Sequence, residues 1–332
     1  MKTKEFGTTG LKVSEIGFGG SRIGGILANK GGSQEALRVL QKALDGGITF
    51  YDTADMYSQG ESETLIGKAF RDRRDQVVLA SKGGYCLPAR RKVVARIKPL
   101  VRPLAQALGI TRAKLPSAAS GALLQDFSPP YLTQAVEGSL RRLRTDYIDL
   151  YQLHSPGAAF LRSGAFGEAL ETLEKLKGQG KVRFYGIATE VAEDVPLCLP
   201  PPGISSVQLA FGLLDLEALD AGVLAEAAAR GLGVIARGCY GGGLLKDGPD
   251  AAELKATTPK WSRILSLRAL SQQSNRPLLE MALQFCLLTP HVTVTLLGMR
   301  TEDHLCENLR CWQAPPLTPQ EYTAARHHVH ES

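Results

Sequence analysis

Residues 48–70 read ITFYDTADMYSQGESETLIGKAF. The β-branched and aromatic run at its start predicts a strand over Thr49–Thr53. A polar loop follows, and apolar residues then return at helical spacing, which predicts a helix over Glu61–Phe70. Strand, loop and helix in so short a span form one unit of a parallel sheet with crossover helices. Two polar residues stand where that strand ends: Asp52 closes it, and Tyr57 lies five residues on, in the loop.

The same rhythm repeats on both sides. Strands are predicted over Glu15–Gly19, Gln76–Ser81, Tyr147–Leu153, Arg183–Ile187, Ser206–Leu209, Gly233–Ala236 and Val292–Leu296, which with Thr49–Thr53 makes eight. A helix should run from Ser33, as its N-cap, to Leu44, where Gly46-Gly47 stops it by accepting the left-handed terminal conformation. Others are expected over Pro130–Leu143, Phe166–Gly178, Leu216–Arg230 and Pro277–Leu288, with Glu302–Cys311 after the last strand. The crossover around Val191–Pro202 is short and proline-rich and reads poorly as a helix. Ahead of all this, Lys4–Phe6 and Leu11–Ser14 flank the turn residues Thr8-Thr9-Gly10 and predict a small hairpin. Eight such units fit a closed (β/α)8 barrel, a single α/β domain over 1–332, better than an open sheet. In such a barrel chemistry gathers at the C-terminal ends of the strands.

One segment breaks the rhythm. Residues 83–129, after the third strand, are too many for an ordinary loop. From Gln76 to Gln125 there is no Asp or Glu, whereas Arg90, Arg91, Lys92, Arg96, Lys98, Arg102, Arg112 and Lys114 are basic. Val93, Ile97, Leu100, Val101, Leu104 and Leu108 recur at helical spacing, so a basic, amphipathic insertion is expected over the C-terminal face, split by Pro99 and Pro103. Its plain reading is a lid. Its basic surface would also suit an anionic substrate or an acidic carrier that presents one, and membrane-surface or oligomer contact is a further alternative. Residues 313–332 form a C-terminal tail.

Bulk composition excludes several classes. The 332 residues are 44% hydrophobic and 22% charged, an ordinary globular mixture with no need of a metal or disulfide to fold. A net charge of +6, with a pI of about 9.0, is too mild to imply nucleic acid and suits an anionic cofactor or substrate. The six cysteines are scattered, without CxxC or metal-ligand spacing, and read as reduced thiols. The first residues, MKTKEFGTTG, carry no apolar signal core, and no apolar run approaches the roughly 20 residues of a membrane helix. A cytoplasmic protein acting on a small molecule, without metal, is expected.

Four residues at or just beyond strand ends carry the chemistry: Asp52, Tyr57, Lys82 closing VVLASK, and His154 closing YQLH. Reducing a carbonyl needs a hydride on carbon and a proton on oxygen. A tyrosine can give that proton, but its unperturbed pKa of about 10 is high for the task, and a neighbouring ammonium lowers it. Lys82 is the candidate cation, Asp52 its ion-pair partner, and His154 the group that orients the carbonyl. Singly, each has a plainer reading: a turn cap, a surface aromatic, a solvated lysine, a core histidine. Their joint placement at strand ends favours the functional one.

The block DTADMYSQGESE, the lysine strand VVLASKGG and the histidine strand LRRLRTDYIDLYQLHSP resemble the aldo-keto reductase superfamily, and GKVRFYGIATE, SVQLAFGLLD and LLGMRTEDHLCENL continue the likeness in order. The resemblance spans about residues 4–312 apart from the insertion. It implies a (β/α)8 barrel that binds NADPH or NADH across its mouth, with Tyr57 as proton donor, Lys82 and Asp52 tuning it, and His154 orienting the substrate. It also implies cofactor contacts from Gly19, Gly20 and Ser21, from Asp52, from Gln208 and Thr189 to the nicotinamide amide, and from Arg237 and Gly238 near the pyrophosphate. Gly298, Arg300, His304, Glu307 and Asn308 match the adenosine site.

The chain departs from the family pattern in three places. Thr189-Glu190 stands where Ser-Asn is usual, and Arg237-Gly238-Cys239-Tyr240 replaces Tyr-Ser-Pro-Leu. Gly298 and His304 align with the family's usual 2′-phosphate cations, a role that Arg300 can take, which favours NADPH. GIAT and LLGM resemble the galactose-type sugar dehydrogenases, several of which use NAD. A reversible carbonyl reductase is therefore the expected activity. A cofactor-sensing regulatory subunit with little turnover is the alternative, and a Schiff-base aldolase using Lys82 a third.

Overall fold

Alternation along each strand decides which side chains line the barrel and which meet the helices outside it. The computed structural model describes residues 1–24, 32–86, 124–199, 201–246 and 260–327. Its strands are β1 (Thr3–Glu5), β2 (Lys12–Ser14), β3 (Ile16–Gly19), β4 (Phe50–Asp52), β5 (Val78–Gly83), β6 (Tyr85–Cys86), β7 (Leu124–Gln125), β8 (Ile148–His154), β9 (Val182–Ala188), β10 (Ile204–Ala210), β11 (Gly233–Arg237) and β12 (Val294–Gly298). Eight of them close a barrel in the order β3-β4-β5-β8-β9-β10-β11-β12. They are the eight expected strands, each within a few residues of its predicted bounds. β1 and β2 pair antiparallel as the expected hairpin, with Thr3 opposite Ser14.

Helices flank the strands at Gly32–Asp45, Glu61–Ala69, Pro129–Leu143, Gly164–Gly178, Leu278–Leu288 and Glu302–Gln313. Ser33 falls inside the first turn of its helix rather than before it. The expected helix over Leu216–Arg230 is two, Glu217–Asp220 and Val223–Ala229, because Gly222 takes the left-handed conformation (φ 71°) and ends the first turn run. Among the described residues four α-helices were not foreseen, the one-turn Ala158–Leu161 and Val195–Cys198 and two longer ones. In Trp261–Gln273 only Ile264, Leu267 and Leu270 are buried, too thin a stripe to stand out, and Pro319–His327 lies in the tail. The basic insertion falls largely outside the described residues. Its two ends pair antiparallel, Tyr85 with Gln125 and Cys86 with Leu124.

Contacts group the chain into two compact units. The first comprises residues 1–17, 189–297 and 306–332. In it the hairpin is tied down by Thr8, whose N–H donates to the Gly231 carbonyl (2.8 Å), and by Lys4, whose Nζ donates to that of Val292 (2.9 Å). The tail helix docks through Tyr322, which stacks on Phe285 at 4.7 Å.

The second unit comprises residues 18–188 and 298–305. Every residue of β8 is buried, as expected of a strand covered on both faces. In the register Ala80 opposes Leu150, Ser81 opposes Tyr151 and Lys82 opposes Gln152. Lys82 therefore shares a face with Ala80, the partner of Asp52, while Ser81 turns to the outer helices. Gly67 lets the 61–69 helix approach the 129–143 helix, since a Cβ there would collide with the Leu143 backbone.

At the start of β8 the buried carboxylate of Asp149 gathers three donors: Arg74 Nη2 (2.7 Å), the Leu79 N–H (2.9 Å) and Arg183 Nη1 (2.8 Å). Arg74 in turn donates to the carbonyls of Val77 and Tyr147, both at 3.0 Å. These bonds join the entries of β5, β8 and β9 at the end opposite Lys82 and His154. Asp149→Ala leaves the buried Leu79 N–H without an acceptor and the half-buried Arg74 without its carboxylate, and should cost about 1–3 kcal/mol, read as a lower urea midpoint at unchanged slope. An unchanged midpoint would show that the network contributes nothing.

Candidate active site

Burying a lysine at a strand end is costly unless its charge is matched. Lys82 is 1% exposed, and its Nζ lies 2.5 Å from Asp52 Oδ1 and donates to the Thr53 carbonyl at 2.9 Å. Both partners come from the end of β4, one strand away. Burial pushes the Lys82 ammonium down, but the Asp52 carboxylate and the Tyr57 hydroxyl, each through charge and a hydrogen bond, outweigh it and hold the pKa above the ordinary value. The amine is thus charged at neutral pH.

Tyr57 is set by the loop that leaves β4. Ser58, Gln59 and Gly60 all take positive φ (50°, 62° and 87°), a rare conformation for the first two. The turn is held by the Gln59 N–H on the Met56 carbonyl (3.0 Å) and by Ser58 Oγ on that of Ile23 (3.0 Å). The Tyr57 ring centroid lies 5.1 Å from Lys82 Nζ. His154, the last residue of β8, meets two tyrosines edge-on: Tyr57 with centroids at 5.6 Å and Tyr85 at 4.8 Å. The four residues expected from the sequence thus come together within one compact unit.

Several neighbours had no signal in the sequence. Gln125, from the far end of the insertion, donates through Nε2 to the carbonyls of His154 (3.0 Å) and Ser155 (2.8 Å), fixing the strand end that carries the histidine. Tyr131 donates to the Tyr85 carbonyl (2.9 Å). Tyr85 is three residues from Lys82 and was open to notice; Gln125 and Tyr131 arrive through tertiary pairing alone.

Residues 15–330 match the model of the Aldo/keto reductase family. The chain belongs to the aldo-keto reductase family. It is 29% identical to the uncharacterised oxidoreductase YqkF of Bacillus subtilis, covering 99% of this chain and 97% of that one. It is 27% identical to L-galactose dehydrogenase of Arabidopsis thaliana, covering 93% and 87%. Among solved structures it resembles an aldo-keto reductase of Bacillus halodurans in its holo form, with a TM-score of 0.75 at 30% identity, covering 100% of this chain and 96% of that one. The chain is therefore an oxidoreductase of carbonyl and CH–OH groups, of a family that uses nicotinamide cofactors. No helix among the described residues is long and apolar enough to cross a membrane.

The remaining candidate positions of this aldo-keto reductase fall as follows. In the second unit, Gly19 ends β3, and Gly20 and Ser21 open the turn after it; a Cβ on Gly20 would stand 2.8 Å from the Asp52 carbonyl oxygen. Gly298 ends β12 with open space where a Cβ would stand; Arg300 follows, and His304 lies on the 302–313 helix. In the first unit, the Thr189 N–H donates to the Gln208 carbonyl (2.8 Å), and Gln208 itself is buried near the end of β10. Arg237 donates to the carbonyls of Thr189 (2.9 Å) and Glu190 (3.2 Å), so its guanidinium braces the neighbouring strand end beside Gly238. Glu307 pairs with Lys246 at 2.9 Å, and Asn308 is buried on the same helix.

Asp55, between Asp52 and Tyr57, is a carboxyl that the sequence reading passed over. Burial raises its pKa from the ordinary 3.8 to about 7; Glu63 adds to the rise, and Arg142, the Met56 backbone and Tyr131 partly offset it. Between those two values the folded protein holds a proton that the unfolded chain has released. Stability therefore falls as pH rises through this window and levels off above it. Asp55→Asn should remove this component, so that urea midpoints measured at either end of the window differ less than in the wild type. An equal pH dependence in both proteins would show that Asp55 ionises normally.

Proposed function

We propose that this aldo-keto reductase reduces an aldehyde or ketone to an alcohol with NADPH, using Tyr57, Lys82, Asp52 and His154. The observation that carries the reading is the buried Lys82–Asp52 ion pair whose ammonium is coupled to the Tyr57 hydroxyl, with His154 edge-on to the same ring.

The Tyr57 hydroxyl donates a hydrogen bond to the substrate oxygen, and His154 donates another from the side, fixing the carbonyl plane. When bound, the reduced nicotinamide supplies the hydride. As charge grows on the carbonyl oxygen, the Tyr57 proton passes to it. The Lys82 ammonium stabilises the phenolate left behind. Asp52 keeps that ammonium in place and keeps it charged. In the reverse direction the same phenolate accepts the proton of an alcohol.

The donor chemistry suits a dinucleotide. Gln208 offers a side-chain amide to a carboxamide, aided by Thr189, and Gly19, Gly20 and Ser21 offer backbone groups beside Asp52. Arg237 and Gly238 are assigned to the pyrophosphate, and Gly298, Arg300, His304, Glu307 and Asn308 to the adenosine half. The N-terminus of the 302–313 helix, preceded by Arg300, suits a phosphate. Its first turn carries Glu302 and Asp303, of which Glu302 is met by Lys42 and, at 3.7 Å, by Arg38. Arg300 as reader of a 2′-phosphate is the reason for placing NADPH before NADH.

Steady-state oxidation of NADPH and NADH with a panel of aldehydes and ketones tests this. The wild type should turn over and prefer NADPH. Tyr57→Phe should lose about 10²- to 10⁴-fold in kcat with nearly unchanged cofactor affinity. Equal turnover in Tyr57→Phe would remove Tyr57 from the mechanism, and tight cofactor binding without turnover in the wild type would favour a sensing role instead.

A further inference from the structure

The reduction as described makes no use of Asp55, although the carboxyl sits between two of its residues. Asp55 Oδ1 is closed off from solvent without a hydrogen-bond partner among the described residues, Oδ2 lies 3.5 Å from the Tyr131 hydroxyl, and the Met56 backbone only partly offsets the cost of charging the group. A carboxylate so poorly solvated is costly, whereas a neutral acid is tolerated there. Beside the Cys86 thiol, which also hydrogen-bonds to it, the Tyr131 hydroxyl reaches two oxygen acceptors with its one proton, the Tyr85 carbonyl at 2.9 Å and Asp55 Oδ2 at 3.5 Å. The nearer takes it while Asp55 is uncharged. Tyr85 in turn lies against His154, and His154 against Tyr57.

Among the described residues, the groups around Asp55 give it no cation of its own. From the 61–69 helix comes Glu63, whose carboxylate accepts from Ser81 Oγ (2.6 Å) and from Arg142 Nε (2.5 Å). From the 129–143 helix come Arg142, committed to that carboxylate, and Tyr131. Tyr151 faces it from β8, and Cys86 on β6 shares Tyr131 with it. From β5 it meets the Lys82 carbonyl, which accepts the Asp55 N–H at 3.0 Å, while the Lys82 ammonium is paired with Asp52.

We propose that Asp55 is a positioning residue for this reduction: as an uncharged acid it leaves the Tyr131 proton on the Tyr85 carbonyl, and on ionising it draws that proton away and loosens the Tyr85 ring from His154. The proposal rests on the reading of Tyr57 and His154 given above. Burial and the Glu63 charge bring the Asp55 transition to about 7, so the change falls in the neutral range.

NMR of the full chain tests the coupling without substrate or cofactor, using carboxyl-labelled aspartate assigned by Asp55→Asn and ring-labelled tyrosine assigned by Tyr85→Phe. In the wild type the Asp55 carboxyl and the Tyr85 ring should shift with one common midpoint near neutrality. In Asp55→Asn the Tyr85 shift should become independent of pH. In Tyr131→Phe it should do the same while Asp55 still titrates, which separates the relay from a fold defect in either variant. A Tyr85 signal indifferent to Asp55, or one that titrates equally in Asp55→Asn, overturns the proposal. With an aldehyde, wild-type kcat/KM should fall about tenfold across that midpoint, within the hundredfold that a misplacement of ~1 Å can cost, and Asp55→Asn should lose the inflection. An inflection that persists in Asp55→Asn overturns the positioning role. Coupled shifts in a wild type that turns over no carbonyl would uphold the relay and sink the reductase reading alone.

Discussion

A lysine withdrawn from water at a strand end holds its charge here chiefly because a carboxylate stands beside it. Desolvation works against the Lys82 ammonium by several kcal/mol, roughly, for an ion fully removed from water. Asp52 at 2.5 Å and the Thr53 carbonyl at 2.9 Å replace the lost hydration. Neither partner is adjustable on its own: Asp52 ends β4, Lys82 nearly ends β5, and the register of those two strands decides whether the groups meet. The site therefore inherits its precision from the sheet. A slip of one residue in either strand would turn one of the two charges toward the outer helices.

The surroundings protect that register from both ends. At the strand entries Asp149 ties Arg74, Arg183 and the Leu79 N–H together, which fixes β5, β8 and β9 relative to one another. At the exits, Ser81 and Glu63 join β5 to the 61–69 helix, and Arg142 extends the tie to the 129–143 helix. The ends of the basic insertion also act there. By pairing as β6 and β7 they bring Tyr85 and Gln125 to His154, one against its ring and the other on its backbone. An insertion that breaks the rhythm of the barrel so becomes part of how the histidine is held.

The barrel and the four polar residues were legible because both rest on local patterns. Buried parallel strands show as apolar runs, crossover helices as 3.6-residue periodicity, and Asp52, Tyr57, Lys82 and His154 stand at or just beyond the points where those runs stop. The Trp261–Gln273 helix was illegible for the converse reason: three buried residues give too weak a periodic signal. The break at Gly222 was missed because a single glycine inside a helical pattern is usually tolerated. Gln125, Tyr131 and Asp55 were missed because their partners lie 29, 46 and 76 residues away, at His154, Tyr85 and Tyr131. Nothing local distinguishes them from ordinary polar residues. Arg237 shows a related limit, since its position at the end of β11 suggested a cofactor cation while its hydrogen bonds run to the carbonyls of Thr189 and Glu190.

The central claim is that an ammonium held by Asp52 acidifies the phenol of Tyr57. Ultraviolet difference titration of the wild type beside Tyr57→Phe measures it directly. The account predicts one tyrosine that ionises below the ordinary value of about 10 in the wild type and is missing from the variant. Identical titration curves for the two proteins, with no tyrosine ionising below that value, would contradict it.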